Sequence, residues 1–291
     1  AELASDSERS TVESNDGDDE GSVAPHVGRK IVMVTGVAGF IGSNCAERLI
    51  ARGDIVIGVD EVNDYYDVRI KRANLERLTR ISGDSGNFRF YEGDICNVEF
   101  ITKIFEDEKP RWMLHLAARA GVRPSIDDPF VYIHSNIEAT TRLLELSRKN
   151  GCEHFVFASS SSVYGGSTKS LFSETDDVSN PVSPYAATKK SCELIGFTYN
   201  HLYQLPVAGL RFFTVYGPGG RPDMAPFKFV DRVSRGVEIQ QFGDGSSSRD
   251  YTFVDDIVDG CLRTLDRPCG YQVYTLGNGE PTRLKDFIDI V

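Results

Sequence analysis

The sequence predicts an α/β fold: a doubly wound parallel sheet with a smaller C-terminal lobe. Three observations carry this. Between Lys30 and Phe212, short apolar runs of strand character alternate with stretches of helical period, the pattern of a parallel sheet covered by helices on both faces. The first run passes directly into a turn rich in glycine, residues 36–42. From Thr214 onward proline and glycine become dense and the alternation stops, so residues 215–247 and about 265–291 are expected to build the smaller lobe.

The chain has 291 residues and a net charge of −11, enough length for one large domain or two smaller ones. Residues 1–28 hold eight acidic side chains against Arg9 alone. That stretch is poor in aromatics and rich in Ser, Asp and Gly, a composition that predicts an acidic disordered segment. The remainder carries a mild negative charge, which speaks against nucleic-acid binding. The six cysteines show no C-x-x-C spacing and read as reduced core thiols. No histidine pair stands at helical spacing, so no metal site is expected. No apolar run approaches the roughly 20 residues that span a bilayer. The chain does not begin with Met; unless an upstream targeting or anchor segment has been removed, the expectation is a soluble, cytoplasmic protein.

The first strand is Lys30 to Thr35. It runs into Gly36-Val37-Ala38-Gly39-Phe40-Ile41-Gly42, a helix over Ser43 to Arg52, and a second strand, Asp54 to Val59, ending on Asp60. This order is the Rossmann dinucleotide-binding unit. Gly36 serves the tight turn, Gly39 the approach of a pyrophosphate, and Gly42 the close packing of helix on sheet. Asp60 lies 18 residues after Gly42, at the offset of a carboxylate for the adenosine ribose hydroxyls, which favours NAD over NADP. Residues 61–86 are polar and basic, a loop and helix. The third strand, Phe88 to Tyr91, ends at Gly93-Asp94-Ile95; Asp94 is placed for the adenine amino group, as a cap for a helix over 97–106, or for both. The fourth strand, Arg111 to Leu116, leads to Ala117-Ala118, small enough to leave room for a flat ligand, and its His115 reads as a core histidine. A long helix, Phe130 to Lys149, carries Asn136, and the fifth strand is Glu153 to Ala158.

Then comes Ser159-Ser160-Ser161-Ser162-Val163-Tyr164-Gly165, a hydroxyl cluster at the sheet edge where ligands bind in this architecture. After a polar loop (166–182), Ser183-Pro184 signals a helix start, and the helix carries Tyr185 and Lys189 to about Leu205. Residues four apart share a face. Only about one free tyrosine in a thousand is ionised at neutral pH, so a tyrosine base needs its anion stabilised; an ammonium one turn away in a partly dry site does this. The sixth strand is Val207 to Phe212. The dinucleotide domain is therefore expected over 29–214, with a strand contribution from about 248–264. The last stretch, Leu284 to Val291, starts a helix and shows no C-cap signal, which reads as a truncated end.

These marks, Gly36-x-x-Gly39-x-x-Gly42, Asp60, Asp94, Ser160 and Tyr185-x-x-x-Lys189 in order, resemble the extended short-chain dehydrogenase/reductase superfamily (NAD-dependent epimerase/dehydratase) over roughly residues 30–290. Asn63-Asp64-Tyr65-Tyr66-Asp67, Ala120-Gly121-Val122-Arg123, Phe212 to Pro218 and Gly220-Arg221-Pro222-Asp223-Met224 are most similar to UDP-glucuronate 4-epimerases. UDP-glucose/galactose 4-epimerases are the near relatives. One departure is Gly219, where that group usually has tryptophan, a change expected to reshape the pocket wall. The group also normally continues a few tens of residues beyond Val291.

The resemblance implies an NAD-dependent isomerase that oxidises a UDP-sugar at carbon 4, turns the 4-keto sugar over, and reduces it on the other face, converting UDP-glucuronate to UDP-galacturonate. Tyr185 is the implied base, Ser160 the hydrogen-bond donor to the sugar oxygen, and Lys189 the residue that holds the nicotinamide ribose. Phe40, Ile41, Asn63, Ile95, Leu116, Ala117, Ala118 and Asn136 join the glycines, Asp60 and Asp94 in the implied cofactor site. Ser161, Ser162, Arg123, Thr214, Arg221 and Arg249 make the implied substrate site, with Arg249 on the diphosphate. A 4-keto glucuronate is a β-keto acid prone to lose carbon dioxide, and Ser161, Ser162 and Arg221 form a plausible clamp for its carboxylate. Serines at 161 and 162, where related dehydratases and decarboxylases carry acids, speak against those chemistries. The family further implies a homodimer formed through helices at about 130–149 and 185–203. The alternatives are a UDP-glucose/galactose 4-epimerase and, more remotely, a noncatalytic nucleotide- or RNA-binding relative.

Overall fold

The computed structural model describes residues 26–291 apart from Ser170 and Phe242. The acidic stretch expected at 1–28 therefore lies outside the described residues except for 26–28. There the His26 ring packs on Trp112 at 4.9 Å, and the His26 backbone N–H donates to the Asp266 carbonyl at 2.7 Å, so the fold engages the chain slightly before residue 29.

The strands are β1 (Ile31–Thr35), β2 (Ile55–Asp60), β3 (Phe88–Glu92), β4 (Trp112–His115), β5 (His154–Ser160), β6 (Val207–Phe212), β7 (Thr214–Tyr216), β8 (Ser248–Phe253), β9 (Tyr271–Leu276) and β10 (Pro281–Arg283). Seven of them form one sheet in the order β3-β2-β1-β4-β5-β6-β9, every pair parallel. Its central strands are apolar on both faces because helices cover both. Alternation decides which core each side chain enters: Val32 and Val34 join one cluster with Leu49, Trp112 and Ile257, while Met33 joins the other with Ile101, Leu143 and Phe155.

The longer helices are α1 (Phe40–Ala51), α2 (Val68–Ser82), α3 (Val98–Glu108), α4 (Ala139–Lys149), α5 (Pro184–Tyr203), α6 (Ala225–Ser234) and α7 (Val254–Leu265), with a short α8 (Leu284–Ile290) at the end. The helix expected unbroken over 130–149 is composite. An α turn (Pro129–Tyr132) and a π-helical stretch (Ile133–Glu138) precede α4. π segments are rare and concentrate at functional sites; this one carries the buried Asn136.

The second sheet is small, in the order β10-β8-β7. Its membership corrects the sequence expectation. The segment 248–264 was expected to lend a strand to the large sheet and 265–291 to lie in the lobe. Instead β8 belongs to the small sheet, and β9 closes the large one, with Val207 opposite Tyr271 and Phe212 opposite Leu276. The reason is α7, whose Ile257, Val258, Cys261 and Leu265 are buried in the same cluster as Leu49 and Trp112. A helix laid on the sheet in this way is a crossover, and a crossover delivers the next strand parallel to the sheet it covers.

Candidate active site

At the carboxyl edge of the large sheet the two sheets and their loops enclose a cavity of about 1210 Å³, larger than the roughly 300–1,000 Å³ of most single-ligand pockets. One end is the glycine turn. Gly36 has φ +70°, and a Cβ there would stand 2.7 Å from the Ala117 nitrogen; a Cβ on Gly42 would strike the Gly36 carbonyl oxygen. No side chain caps α1 at Gly39, so the first-turn N–H groups are open to an anion. The Asp60 carboxylate accepts from Ala38 N–H at 3.0 Å and Val62 N–H at 2.8 Å. Burial pushes its pKa up, against those two hydrogen bonds and the Lys71 charge.

Phe40, Ile41, Asn63, Asp94, Ile95, Leu116, Ala117 and Ala118 line the same cavity. Asp94 is not the cap of α3, one of its two expected roles. Asn97 is, accepting from Phe100 N–H at 3.2 Å. Asp94 instead accepts from Cys96 N–H at 2.8 Å and meets His134 Nε2 at 2.9 Å. Those contacts bring Asp94, Cys96 and His134 within 4.8 Å of one another, a trio that spacing along the chain does not reveal. Their own chemistry binds them together: the Asp94 contact, then Glu138, raises the His134 pKa, and burial pushes the Cys96 thiol up to about 12.

Ser183 caps α5 through Ala186 N–H at 3.1 Å, with Pro184 in the first turn. Tyr185 lines the cavity, its ring edge-on to Tyr132 at 6.1 Å. Lys189 is 4 % exposed and donates to the Ala158 carbonyl at 2.7 Å, so the ammonium is held at the end of β5. The Ser160 hydroxyl bonds Ser162 Oγ and accepts from Ser162 N–H, both at 3.1 Å, which turns the chain so that Ser160, Ser161 and Ser162 all line the cavity. Thr214, Arg221 and Arg249 line it too. Arg221 pairs with Asp223 through Nε at 3.0 Å and stands 5.5 Å over the Tyr65 ring.

Two expected residues are elsewhere. Asn136 is 1 % exposed and outside the lining. Its amide accepts from Arg119 N–H and donates to the Arg119 carbonyl and Thr188 Oγ1. It holds the loop after β4 to α5, with both amide N–H groups engaged by the chain itself. Arg123 precedes the short helix Pro124–Asp127 and is likewise outside the lining. Gly219, with φ +77° and open space where a Cβ would point, does not line the cavity. Conversely, Tyr65, Tyr66, Lys71, Arg119 and Glu174 line the cavity without having been singled out. Tyr65 and Tyr66 lie within Asn63-Asp64-Tyr65-Tyr66-Asp67, and Arg119 directly follows Ala117-Ala118; those neighbourhoods were the available signal. His115, 3 % exposed between Thr35 and Thr140, is a core histidine.

Residues 32–277 match the model of the NAD dependent epimerase/dehydratase family. The chain belongs to that family. Within it, the chain is 46 % identical over 260 residues to the UDP-glucuronate 4-epimerase of Thermodesulfobacterium geofontis, covering 89 % of this chain and 79 % of that one. Two solved structures share its fold. UDP-glucuronic acid 4-epimerase from Bacillus cereus, in complex with UDP-glucuronic acid and NAD, superposes with TM-score 0.81 at 33 % identity, over 89 % of this chain and 81 % of that one. UDP-glucose 4-epimerase from Thermotoga maritima, with UDP-glucose, gives TM-score 0.80 at 33 % identity over the same shares. The glycine cradle, the open N-terminus of α1 and Asp60 fit the NAD on which the family depends.

Proposed function

We propose that the protein is a UDP-sugar 4-epimerase acting on UDP-glucuronate. The glycine turn and Asp60 would hold NAD, which when bound would accept the sugar's carbon-4 hydride and, as NADH, give it back. Tyr185 takes the 4-hydroxyl proton and later returns it. Lys189, fixed to the Ala158 carbonyl and one turn from Tyr185 on the same face of α5, would hold the nicotinamide ribose. Ser160 donates to the sugar oxygen as it becomes a ketone, which is hydrogen-bond stabilisation of developing charge. Arg249 on β8 meets the diphosphate.

The observation that carries the choice of sugar is the run Ser160–Ser162 together with Arg221 on the cavity wall. Neutral donors and a guanidinium suit a carboxylate, and no acid stands in that run to drive loss of water or carbon dioxide. The relatives acting on UDP-glucuronate support the same choice. A UDP-glucose epimerase is the second possibility, supported by an equally similar fold. Incubation with each sugar, followed by NMR of the carbon-4 epimers, separates them. UDP-glucuronate turnover is expected, and Tyr185→Phe is expected to lower it about 10²–10⁴-fold; turnover of UDP-glucose without UDP-glucuronate overturns the assignment.

We also propose a homodimer. The helices from 124 to 138 and α5 expose Ile126, Phe130 and Ile133, and Leu194, Phe197 and Leu202, and they pack on one another. Single exposed apolar residues are ordinary, and it is their number on these two packed helical segments that supports an association surface.

A further inference from the structure

One turn beyond Lys189, α5 carries Glu193, which is 1 % exposed; opposite it on β6 stands Arg211, 2 % exposed. The two meet in a fork, Nε to Oε1 and Nη2 to Oε2, both at 2.9 Å. Glu193 Oε1 also accepts from the Ser159 hydroxyl at 2.7 Å, and the Glu193 carbonyl accepts from Tyr271 Oη at 2.8 Å. Arg211 Nη1 donates to Tyr164 Oη at 3.1 Å and to the Glu174 carbonyl at 3.5 Å. Tyr164 Oη reaches Thr275 Oγ1 at 2.8 Å, and Thr275 N–H returns to the Glu174 carboxylate at 2.7 Å. One guanidinium thus joins three parts of the cavity: α5 with Lys189, the end of β5 with Ser159 and Ser160, and the wall built from Glu174 and Thr275.

Stability alone is a poor reason for such a pair, since burying two charges costs about as much as their attraction returns. Its best-attested use is to fix register, and the register here is that of the reacting groups. Two ties one helical turn apart, Lys189 to the Ala158 carbonyl and Glu193 to the Ser159 hydroxyl, lock α5 against β5. Alongside the bonds that hold α5 to Asn136 and Tyr271, these two ties set its height and rotation against β5 at the level of the reacting groups.

We infer that the Arg211–Glu193 pair is a positioning device for the proposed reaction, setting Tyr185 and Lys189 on α5 against Ser160 on β5 and coupling both to the Glu174–Thr275 wall. This rests on the Tyr185, Lys189 and Ser160 roles given above. The test is single-turnover hydride transfer from UDP-glucuronate in the NAD-loaded protein, read as NADH absorbance per bound NAD, beside substrate KM and thermal midpoint. Glu193→Gln and Arg211→Lys break the fork. Glu193→Leu with Arg211→Met removes both charges while filling the space, and Tyr164→Phe removes only the link to the wall. The fork variants and the apolar pair are expected to lose about 30–100-fold in rate per loaded site, the scale of a small misplacement of reacting groups, with KM changed less than threefold. Tyr164→Phe is expected to lose about 3–10-fold on the same grounds. An apolar pair that transfers hydride at the parental rate overturns the inference. Should the pair variants fail to fold, a parental rate in Tyr164→Phe overturns it equally. Tyr185→Phe run alongside keeps the two ideas apart: hydride transfer surviving in that variant refutes the assigned base, whereas its loss beside parental rates in the others refutes the positioning role alone.

Discussion

His115 illustrates how a single side chain is fixed by its surroundings. Its Nδ1 lies 2.7 Å from Thr35 Oγ1 and its Nε2 3.0 Å from Thr140 Oγ1, so hydroxyls that can donate or accept satisfy a neutral ring. Burial, with the Lys189 charge adding to it, holds the pKa down at about 3. An unfolded histidine titrates near 6.5. As pH falls below that value only the unfolded state takes up the proton, so stability is lost at about 1.4 kcal/mol per pH unit until the folded group also titrates. His154, held down to about 4 mainly by burial, adds a slope of the same sign. Replacement His115→Gln is therefore expected to flatten the fall in urea midpoint between pH 6.5 and 5, leaving the share due to His154. An undiminished slope would show that His115 titrates normally in the fold. At this scale the sequence was a sound guide to residue type and a weaker one to contacts. The amide of Asn136 bonds Arg119 and Thr188, partners 17 and 52 residues away that no local pattern discloses.

At the scale of elements, the glycine turn and α1 act as one unit. Gly39 leaves the helix without a side-chain cap, and Gly42 has no room for even a methyl group beside the Gly36 carbonyl. Gly42→Ala must push α1 away from the turn, which spoils the backbone approach to a pyrophosphate. The expected outcome is protein that still folds but retains about tenfold less copurifying NAD, measured from the absorbance of cofactor released on denaturation; full occupancy would contradict the packing role given to this glycine. Helix α5 was equally legible, since Ser183 and Pro184 announce its start and the cap forms as the residue types require. The π stretch at Ile133–Glu138 was not. Its residues carry ordinary helical period, and nothing in their spacing marks the extra residue per turn.

For the molecule as a whole, the large sheet and the small one meet along the cavity that holds every proposed reacting group. No helix among the described residues is long and apolar enough to cross a membrane. The exposed apolar side chains on the 124–138 helices and α5 bear on assembly. If they join two copies, Phe130→Lys with Leu194→Lys should halve the mass seen by sedimentation while each chain keeps its fold, because both positions are exposed in the single chain. A parent chain that sediments as a monomer would refute the dimer.

The sequence by itself determined the α/β alternation, the glycine turn, the acid at the end of β2, the hydroxyl cluster and the Tyr185/Lys189 pair, because each is a local pattern whose period or spacing has one physical use. Only the tertiary structure decided which sheet receives 248–253 and which receives 271–276, since both stretches have strand character and the placement of α7 separates them. It alone decided that Asn136, Arg123 and Gly219 lie outside the cavity while Lys71 and Arg119 lie on it. It also made Arg211 and Glu193 partners. They are 18 residues apart on a strand and a helix, and their meeting depends on packing that no spacing along the chain encodes.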